Sequence, residues 1–473
     1  MKRLVIIVLL IVYTALAGAP ALKAEVRLPS IFGDNMVLQQ KSNVSFWGKA
    51  TPGSKVTIKT SWNNKSYAVS ADSDGRWKTK VATPAAGGPY VITLSDGKVL
   101  TLNNVLIGEV WVCSGQSNME MTMKGYFNQP VTGSNEYIAT SSNDNVRLIS
   151  VPRVNSLNPV DDFNGSWLVS EPESVARFSA TAYFFGLMLN RALDVPIGLI
   201  NTSWSGTRIE PWISEDGLKQ FEWVVLPDKS GSQENLSPQT PTVLFNTMIN
   251  PIAGYGIRGA IWYQGESNRL EPDNYLKLLP GMIEDWRRVW DIGEFAFYYV
   301  QIAPFDYGGT GLNSAFLREA QLKASTSLPN IGMASVMDTG EKENIHPANK
   351  KAAGDRLAYQ ALAKTYGLKG VACDGPTFKE MKIEGNIIKL SFNNASNGLT
   401  SFGKEMTCFE VAGTNKRFYP ARALIIGNSI TLISPMVNEP VAVRYAFRDF
   451  VIGDLFNTEG LPASSFRTDD WEQ

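Results

Sequence analysis

The sequence predicts an α/β fold in which a parallel sheet flanked by helices lies between β-sandwich-like segments at both ends of the chain. Short alternating strands with frequent turn signals fill residues 25–105. Apolar strands then alternate with helical stretches over residues 106–370, and alternating strands return over residues 371–473. Alternation of strands with helices is typical of a parallel sheet, whereas many short strands joined by turns are typical of a sandwich.

The first 24 residues have the composition of a secretory signal. Lys2 and Arg3 precede an apolar run over residues 4–17, and small residues lead to Ala24. This pattern favours a cleaved signal over a membrane anchor, because a span needs roughly 20 apolar residues. We therefore expect a secreted or periplasmic protein with no membrane span after cleavage at the end of residues 1–24.

Residues 25–105 are predicted to form an N-terminal β-domain. The segments 43–47 and 55–59 alternate apolar and polar residues, as half-buried strands do. Turn dipeptides such as Pro52-Gly53 separate them.

Residues 106–370 are predicted to form the α/β domain that carries the chemistry. Residues 105–112 are almost continuously apolar, which is typical of a strand buried on both faces of a parallel sheet. Helices are predicted at residues 179–193, 275–290 and 349–366, and further strands at residues 197–201, 295–302 and 332–337.

Residues 371–473 are predicted to form a C-terminal β-domain, with strands at residues 387–392, 429–433 and 442–446. Two arrangements of this domain and the N-terminal β-domain are compatible with the sequence. The two are separate domains, or they pack together.

The net charge and the cysteine content disfavour several classes of partner and cofactor. The net charge of −1 disfavours nucleic acid or an anionic membrane, because both attract a basic face. Cys113, Cys373 and Cys408 have no metal-site spacing, and with one histidine in the chain we predict neither a metal nor another cofactor. A Cys373–Cys408 bridge and three reduced thiols are both compatible with the sequence.

Ser117 is the first candidate for a catalytic residue. The predicted strand ending at Val112 runs into residues 113–120 (CSGQSNME). A parallel strand that breaks into small and polar residues presents them at the carboxyl edge of the sheet, where α/β proteins bind ligands. Ser117 is then either a nucleophile, with its own N–H facing an oxyanion, or a helix N-cap.

His346 is the only histidine in the chain. Histidine is the usual general base, because its ordinary pKa lies closest to neutral pH. It lies in a polar stretch, residues 343–347 (ENIHP). His346 is therefore either an incidental surface residue or the general base. An unperturbed imidazole would lose activity below about pH 6–7.

Four blocks of sequence resemble the sialate O-acetylesterase family of SGNH/GDSL hydrolases, and they occur in the family's order. They are residues 108–119 (GEVWVCSGQSNM), 201–207 (NTSWSGT), 261–268 (IWYQGESN) and 345–358, which begins IHPANK. Residues 34–39 (DNMVLQ) and 459–463 (EGLPA) are also similar to the family, so the resemblance covers nearly the whole mature chain.

The resemblance implies a role for each block. Ser117 would attack the acyl carbonyl, and His346 would accept the serine proton and later deliver it to the leaving sugar alcohol. The N–H groups of Ser117 and Gly206 would bind the oxyanion. Simpler members add an asparagine side chain from the third block, and here Gln264 is expected in its place, with Asn268 behind it.

The acid that orients His346 has three candidates. SGNH enzymes commonly place an aspartate three residues before the histidine, a position that Glu343 occupies here. Asp338, which follows a predicted strand, is the second candidate. The third arrangement is a Ser–His dyad held by a backbone carbonyl.

Two further charged residues, Glu266 and Arg208, each have two alternative roles. Glu266 either shapes the site and binds a substrate hydroxyl, or is a structural carboxylate bonded to loop N–H groups. Arg208 either pairs with a substrate carboxylate such as that of sialic acid, or holds a loop in place.

The sequence therefore predicts a secreted serine esterase, and the resemblance implies that it removes O-acetyl groups from carbohydrate, with sialic acid as the first candidate substrate. Acetylxylan or another acetylated polysaccharide is the alternative substrate. Two other classes are a glycosidase using Glu266 as one of two carboxylates, and a non-catalytic carbohydrate-binding protein, which the flanking β-segments and 12 tryptophans would suit. The sequence does not fix the oligomeric state.

Overall fold

A computed structural model of the chain describes residues 25–230, 236–308, 311 and 313–471. The predicted signal at residues 1–24 lies outside the described residues. Within these ranges, no helix has the length and apolar character needed to cross a membrane.

Among the described residues, strands predominate toward both ends, and helices lie between Ser117 and Gln360. The strands are β1 Val37–Gln39, β2 Asn43–Lys49, β3 Lys55–Thr60, β4 Ser66–Ser70, β5 Arg76–Ala82, β6 Gly87–Ser95, β7 Val99–Gly115, β8 Asn143–Ser150, β9 Leu168–Ser170, β10 Ile197–Ser203, β11 Gly259–Tyr263, β12 Ala296–Val300, β13 Ile331–Ala334, β14 Thr377–Glu384, β15 Ile387–Asn393, β16 Leu399–Thr400, β17 Phe409–Ala412, β18 Phe418–Pro420, β19 Arg422–Ile426, β20 Ser429–Ile433, β21 Ala442–Tyr445, β22 Phe456–Asn457 and β23 Phe466–Arg467.

The α-helices are α1 Ser117–Glu120, α2 Ser134–Ala139, α3 Pro172–Ala176, α4 Ala180–Leu193, α5 Glu215–Leu218, α6 Pro272–Trp290, α7 Asn313–Ala324 and α8 Lys350–Gln360. Short 3-10 segments cover Glu210–Trp212, Asn250–Ile252 and Glu266–Asn268, and π-helical turns cover Phe245–Ile249 and Ala361–Thr365. The predicted helix over residues 349–366 is thus α8 continued by a π-helical turn.

The central sheet has the strand order β13-β12-β11-β7-β10-β8-β9, and every neighbouring pair except β8–β9 is parallel. This confirms the predicted parallel α/β sheet. Strand β7 lies at its centre, and its residues from Val105 to Gly115 are all buried, as expected for a strand covered on both faces.

The same strand joins the N-terminal β-domain to the sheet. The first half of β7 pairs with β6 and its middle pairs with β1, while its second half pairs with β10 and β11. The predicted boundary between residues 105 and 106 therefore falls inside one continuous strand.

Consecutive residues of the central strands face opposite hydrophobic clusters, because side chains alternate across a strand. Trp262 belongs to the cluster that also holds residues of α6, whereas Ile261 and Tyr263 belong to the cluster that holds residues of α4 and α8. Helices α4 and α8 pack closely at Gly354, where a Cβ atom would lie 2.6 Å from Cβ of Phe184. The sheet is thus covered by helices on both faces.

The two terminal β-segments contribute to different clusters in the described part of the chain. The N-terminal strands share the cluster of α6, whereas the C-terminal strands form a third cluster that includes Met337. The C-terminal segment also binds α7, where Ser314 Oγ donates to Asp449 Oδ1 at 2.7 Å. Cys113, Cys373 and Cys408 are free thiols, so the Cys373–Cys408 bridge is not formed.

Candidate active site

The end of β7 places Ser117 at the carboxyl edge of the sheet. Gly115 adopts φ +139°, and a Cβ atom there would lie 2.2 Å from the carbonyl oxygen of Tyr263 on the neighbouring strand β11. Only glycine tolerates this approach and this backbone region. Gln116 N–H then donates to the same carbonyl at 2.9 Å, and α1 begins at Ser117.

The backbone N–H groups of Ser117 and Gly206, the two that the resemblance implies as oxyanion donors, have no acceptor among the described residues. Gly206 lies in the turn after β10 with φ +73°, and its carbonyl accepts hydrogen bonds from Ser267 Oγ at 2.9 Å and Gln239 Nε2 at 2.5 Å. Trp204 N–H ties this turn to β7 by donating to Gly115 O at 3.0 Å. Unused N–H donors at a strand end are what an oxyanion requires.

Two residues, Tyr126 and Asn118, connect the segment of His346 to that of Ser117. The ring of Tyr126 packs edge-on against the imidazole at 5.3 Å, and its hydroxyl donates to the Ser117 carbonyl at 3.3 Å. Asn118 Nδ2 donates to the carbonyl of Ile345 at 3.1 Å. The hydrogen bonds of the described residues include none between Ser117 Oγ and the imidazole, a contact that often tightens only when substrate binds.

The partner of the imidazole is Gln129, whose Oε1 lies 2.6 Å from His346 Nδ1. With a carbonyl oxygen as that partner, Nδ1 carries the proton and Nε2 is the ring atom able to accept one. Burial and the charge of Lys350 lower the pKa of His346 from its ordinary 6.5 to about 4. The imidazole is therefore a neutral base over most of the pH range.

Neither predicted acid contacts the histidine, and this corrects the expectation for Glu343. Glu343 is exposed and makes no hydrogen bond or ion pair with another described residue. Asp338 instead forms a two-point ion pair with Arg356, at 2.6 and 2.7 Å. The backbone-carbonyl arrangement is not formed either, since Gln129 supplies a side-chain oxygen.

The carboxylate that organises the histidine loop is Glu341. Its Oε1 accepts from Ala348 N–H at 2.6 Å, and its Oε2 accepts from Asn344 Nδ2 at 3.1 Å. Asn344 Oδ1 in turn accepts from His346 N–H at 3.0 Å. Because Glu341 closes the loop in this way, Glu343 is left facing solvent.

Gln264 is not available as the side-chain donor for an oxyanion, which corrects that expectation. Its Nε2 donates to Thr207 O at 3.1 Å and to Asn268 Oδ1 at 2.8 Å, so both amide protons are used inside the protein. Asn268 Oδ1 also accepts from Ile209 N–H at 3.0 Å. Gln264 and Asn268 therefore bind the second block to the third rather than a substrate.

Gln116 is a donor that the sequence did not single out. Its Oε1 accepts from the N–H groups of Gly265 and Ser267 at 3.2 and 3.4 Å, whereas its Nε2 donates to no described residue. Because Ser267 also contacts Gly206, this amide lies at the same corner as the two unused N–H groups. Its position next to Ser117 in the chain was the only sequence signal.

Glu266 is buried and bonded to Asn118, the residue after Ser117, rather than exposed to a substrate. Its Oε1 accepts from Asn118 Nδ2 at 2.6 Å, and its Oε2 has no hydrogen-bond partner among the described residues. Burial raises the pKa of this carboxyl group, and the backbone, Asn118 and Lys350 partly oppose the rise. The structure thus favours a structural carboxylate, held by the Asn118 amide and by a backbone hydrogen bond.

Arg208 is held by two carboxylates. Its guanidinium donates to Glu210 at 2.7 Å and to Glu271 at 2.6 Å, and these bonds raise the pKa of the arginine. A guanidinium already paired twice has little charge left for a substrate carboxylate. The structure therefore favours the second of the two roles, loop attachment, for Arg208.

Comparison with known proteins gives one consistent family. The family profile described as "Carbohydrate esterase, sialic acid-specific acetylesterase" matches residues 107–363. A human sialate O-acetylesterase is 31% identical over 398 residues, which cover 76% of this chain and 74% of that protein. A mouse sialate O-acetylesterase is 28% identical over 488 residues, 89% of each protein.

A solved structure agrees with the sequence comparisons. A carbohydrate acetylesterase from Xanthomonas citri superposes with a TM-score of 0.86 at 33% identity, covering 94% of this chain and 100% of that chain. The matched region 107–363 includes Ser117, Gly206 and His346.

Proposed function

We propose that this chain, which belongs to the sialic acid-specific acetylesterase family of carbohydrate esterases and is a carboxylic ester hydrolase, removes O-acetyl groups from carbohydrate through an acyl-enzyme on Ser117. One observation carries the proposal. Ser117 stands at a sharp strand end, and its N–H and that of Gly206 have no acceptor among the described residues. Tyr126 and Asn118 connect its segment to that of His346, a neutral imidazole whose Nδ1 is already bonded to Gln129. Family membership also disfavours the glycosidase and the non-catalytic binding protein.

In the first half-reaction Ser117 Oγ attacks the acetyl carbonyl carbon while His346 Nε2 takes the hydroxyl proton. The carbonyl oxygen becomes negative in the tetrahedral intermediate. The N–H groups of Ser117 and Gly206 and the Nε2 amide of Gln116 would donate to it, and one such donor typically contributes ~10²–10³ in rate. His346 then protonates the leaving sugar oxygen as the carbon–oxygen bond breaks.

In the second half-reaction a water molecule replaces the sugar alcohol. His346 takes a proton from water as its oxygen attacks the acetyl-serine, and the collapse of the second intermediate returns the proton to Ser117 Oγ. Acetate leaves and the imidazole is again neutral. Gln129 keeps the same Nδ1–H tautomer throughout, because its Oε1 accepts that proton's hydrogen bond.

The substrate is an O-acetylated carbohydrate, and sialic acid is the first candidate because the human and mouse relatives are sialate O-acetylesterases. One observation favours a neutral polysaccharide such as acetylxylan instead. Arg208, the arginine two residues after Gly206, is already paired with both Glu210 and Glu271. The signal-like composition of residues 1–24 leads us to propose that the enzyme is exported.

The test compares wild-type enzyme with Ser117→Ala and His346→Ala, measuring acetate released from 9-O-acetylated sialic acid and from acetylated xylan in parallel. We expect each variant to lose at least about 10³-fold in kcat/KM on the preferred substrate. Retention of more than a few per cent of wild-type activity by either variant would refute the mechanism. The ratio of the two wild-type rates identifies the substrate class.

A further inference from the structure

A lysine and a glutamate are buried together directly behind the nucleophile. Lys350, the first residue of α8, is 2% exposed, and Glu266, just after β11, is 4% exposed. Buried charges are costly unless they are paired and hydrogen-bonded. The proposed ester hydrolysis uses neither side chain, so their burial requires another explanation.

Asn118 links the two charges. Its Nδ2 donates to Glu266 Oε1 at 2.6 Å, and its Oδ1 accepts a hydrogen bond from Lys350 Nζ. The carbonyl of Asn118 accepts from Thr181 Oγ1 at 2.9 Å on α4, so this residue is fixed from several sides. One amide side chain therefore joins a cation and an anion that come from different elements of the domain.

The same amide also holds the histidine loop. Asn118 Nδ2 donates to the carbonyl of Ile345 at 3.1 Å, one residue before His346. Asn118 follows Ser117 in the chain, and Lys350 follows His346 by four residues. The hydrogen-bonded side chains of Lys350, Asn118 and Glu266 thus connect the segment bearing the nucleophile to the segment bearing the base.

We propose that Lys350 and Glu266, bridged by Asn118, form a buried ionic clamp that positions His346 against Ser117. Lys350 and Glu266 are positioning residues, because neither touches the reacting atoms. The inference rests on the proposed function for its catalytic consequence. The effect of the clamp on the pKa of His346 can be measured without any turnover.

The charge of the clamp gives it a signature that simple packing lacks. The groups facing His346 are Tyr126 on the turn after α1, Gln129 on the same turn, and Lys350 on α8. Burial lowers the pKa of Lys350 to about 7, and Glu266 and Glu341, which it faces, partly oppose that shift, so the lysine is charged over the acidic range in which His346 titrates. Because Lys350 is the nearby cation, it disfavours the imidazolium form and lowers the pKa of His346 together with burial.

The experiment is an NMR titration of the imidazole in the full chain, with Lys350→Met as the variant. His346 is the only histidine, so histidine labelling gives a single imidazole resonance. Removal of the cation should raise the pKa of His346 by about one pH unit. The acid limb of the kcat/KM profile should move upward by the same amount.

Lys351→Met is the matched control. This neighbouring lysine pairs with Asp355 on the same helix, outside the clamp, so its loss should leave the pKa of His346 unchanged. Lys350→Met also leaves Glu266 buried without its cation, which destabilises the fold. The double variant Lys350→Met/Glu266→Gln removes both charges, and its urea midpoint should lie closer to wild type than the midpoint of either single variant.

An unchanged pKa of His346 in both Lys350→Met and the double variant would overturn the proposal, as would additive losses of stability. These outcomes are separate from those for the proposed function. If Ser117→Ala remained active while Lys350→Met shifted the imidazole titration, the clamp would stand and the serine mechanism would fall.

Discussion

His346 Nδ1 lies 2.6 Å from Oε1 of Gln129, a residue 217 positions earlier in the chain. An amide here fixes the tautomer of the imidazole as a carboxylate would, but it adds no negative charge to stabilise the imidazolium that forms during catalysis. Gln129 thus orients the histidine without opposing burial and the charge of Lys350, which lower its pKa.

Substitution of Gln129 should separate these two effects. Gln129→Ala removes the orienting acceptor and should lower kcat by about 10-fold to 10²-fold, part of the ~10²–10⁴ that a general base contributes. Gln129→Glu keeps an acceptor and adds a charge, so it should raise the pKa of His346 by about one pH unit or more. Steady-state kinetics across pH measures both. Wild-type kinetics in Gln129→Ala would show that the contact is incidental.

The pH profile of the wild-type enzyme is the second prediction. The kcat/KM profile reports the free enzyme's base, which must be neutral to act. Because burial and Lys350 lower the pKa of His346 to about 4, the acid limb should fall near pH 4, not near the pH 6–7 of an unperturbed imidazole. Intrinsic fluorescence at each pH controls for unfolding. A midpoint above pH 6 in folded enzyme would contradict the site's electrostatics.

The glycine at the end of β7 should be irreplaceable for folding. In Gly115→Ala the new Cβ would lie 2.2 Å from the Tyr263 carbonyl, at φ +139°. We expect a loss of about 3 kcal/mol or more in the free energy of unfolding. Gly206→Ala is the matched control, because nothing lies within 4 Å of its added Cβ and only its φ of +73° opposes the change. Its loss should be about 1–2 kcal/mol. Equal losses in urea denaturation would refute this account.

Arg208 should affect stability rather than substrate choice. Arg208→Gln breaks the bonds to Glu210 and Glu271 and should lower the melting temperature. The ratio of kcat/KM values for 9-O-acetylated sialic acid and a neutral acetylated sugar should stay within about twofold of wild type. A selective loss on the sialic acid substrate would instead identify Arg208 as a ligand of its carboxylate.

The sequence predicted the sheet because its signals are local. The apolar run into β7 and the alternation of helices and strands each follow from neighbouring residues. The roles of Gln129 and Glu341 do not. Gln129 reaches His346 through a turn far away in the chain, and Glu341 rather than Glu343 faces the loop because of how that loop closes.

The proposed oxyanion donors were also only partly predictable from the sequence. Backbone N–H groups at Ser117 and Gly206 follow from the turns that precede α1 and follow β10. Whether a side-chain amide is free to donate depends on its tertiary partners, which use both protons of Gln264 and leave Nε2 of Gln116 without an acceptor.

The central claim is that Ser117 is a nucleophile activated by His346, and covalent labelling tests it most directly. Enzyme treated with a fluorophosphonate is digested, and mass spectrometry locates the adduct. The account predicts one adduct per chain on Ser117, formed in step with loss of esterase activity and much more slowly in His346→Ala. Inactivation with the adduct on another residue, or full labelling of Ser117 with activity intact, would contradict it.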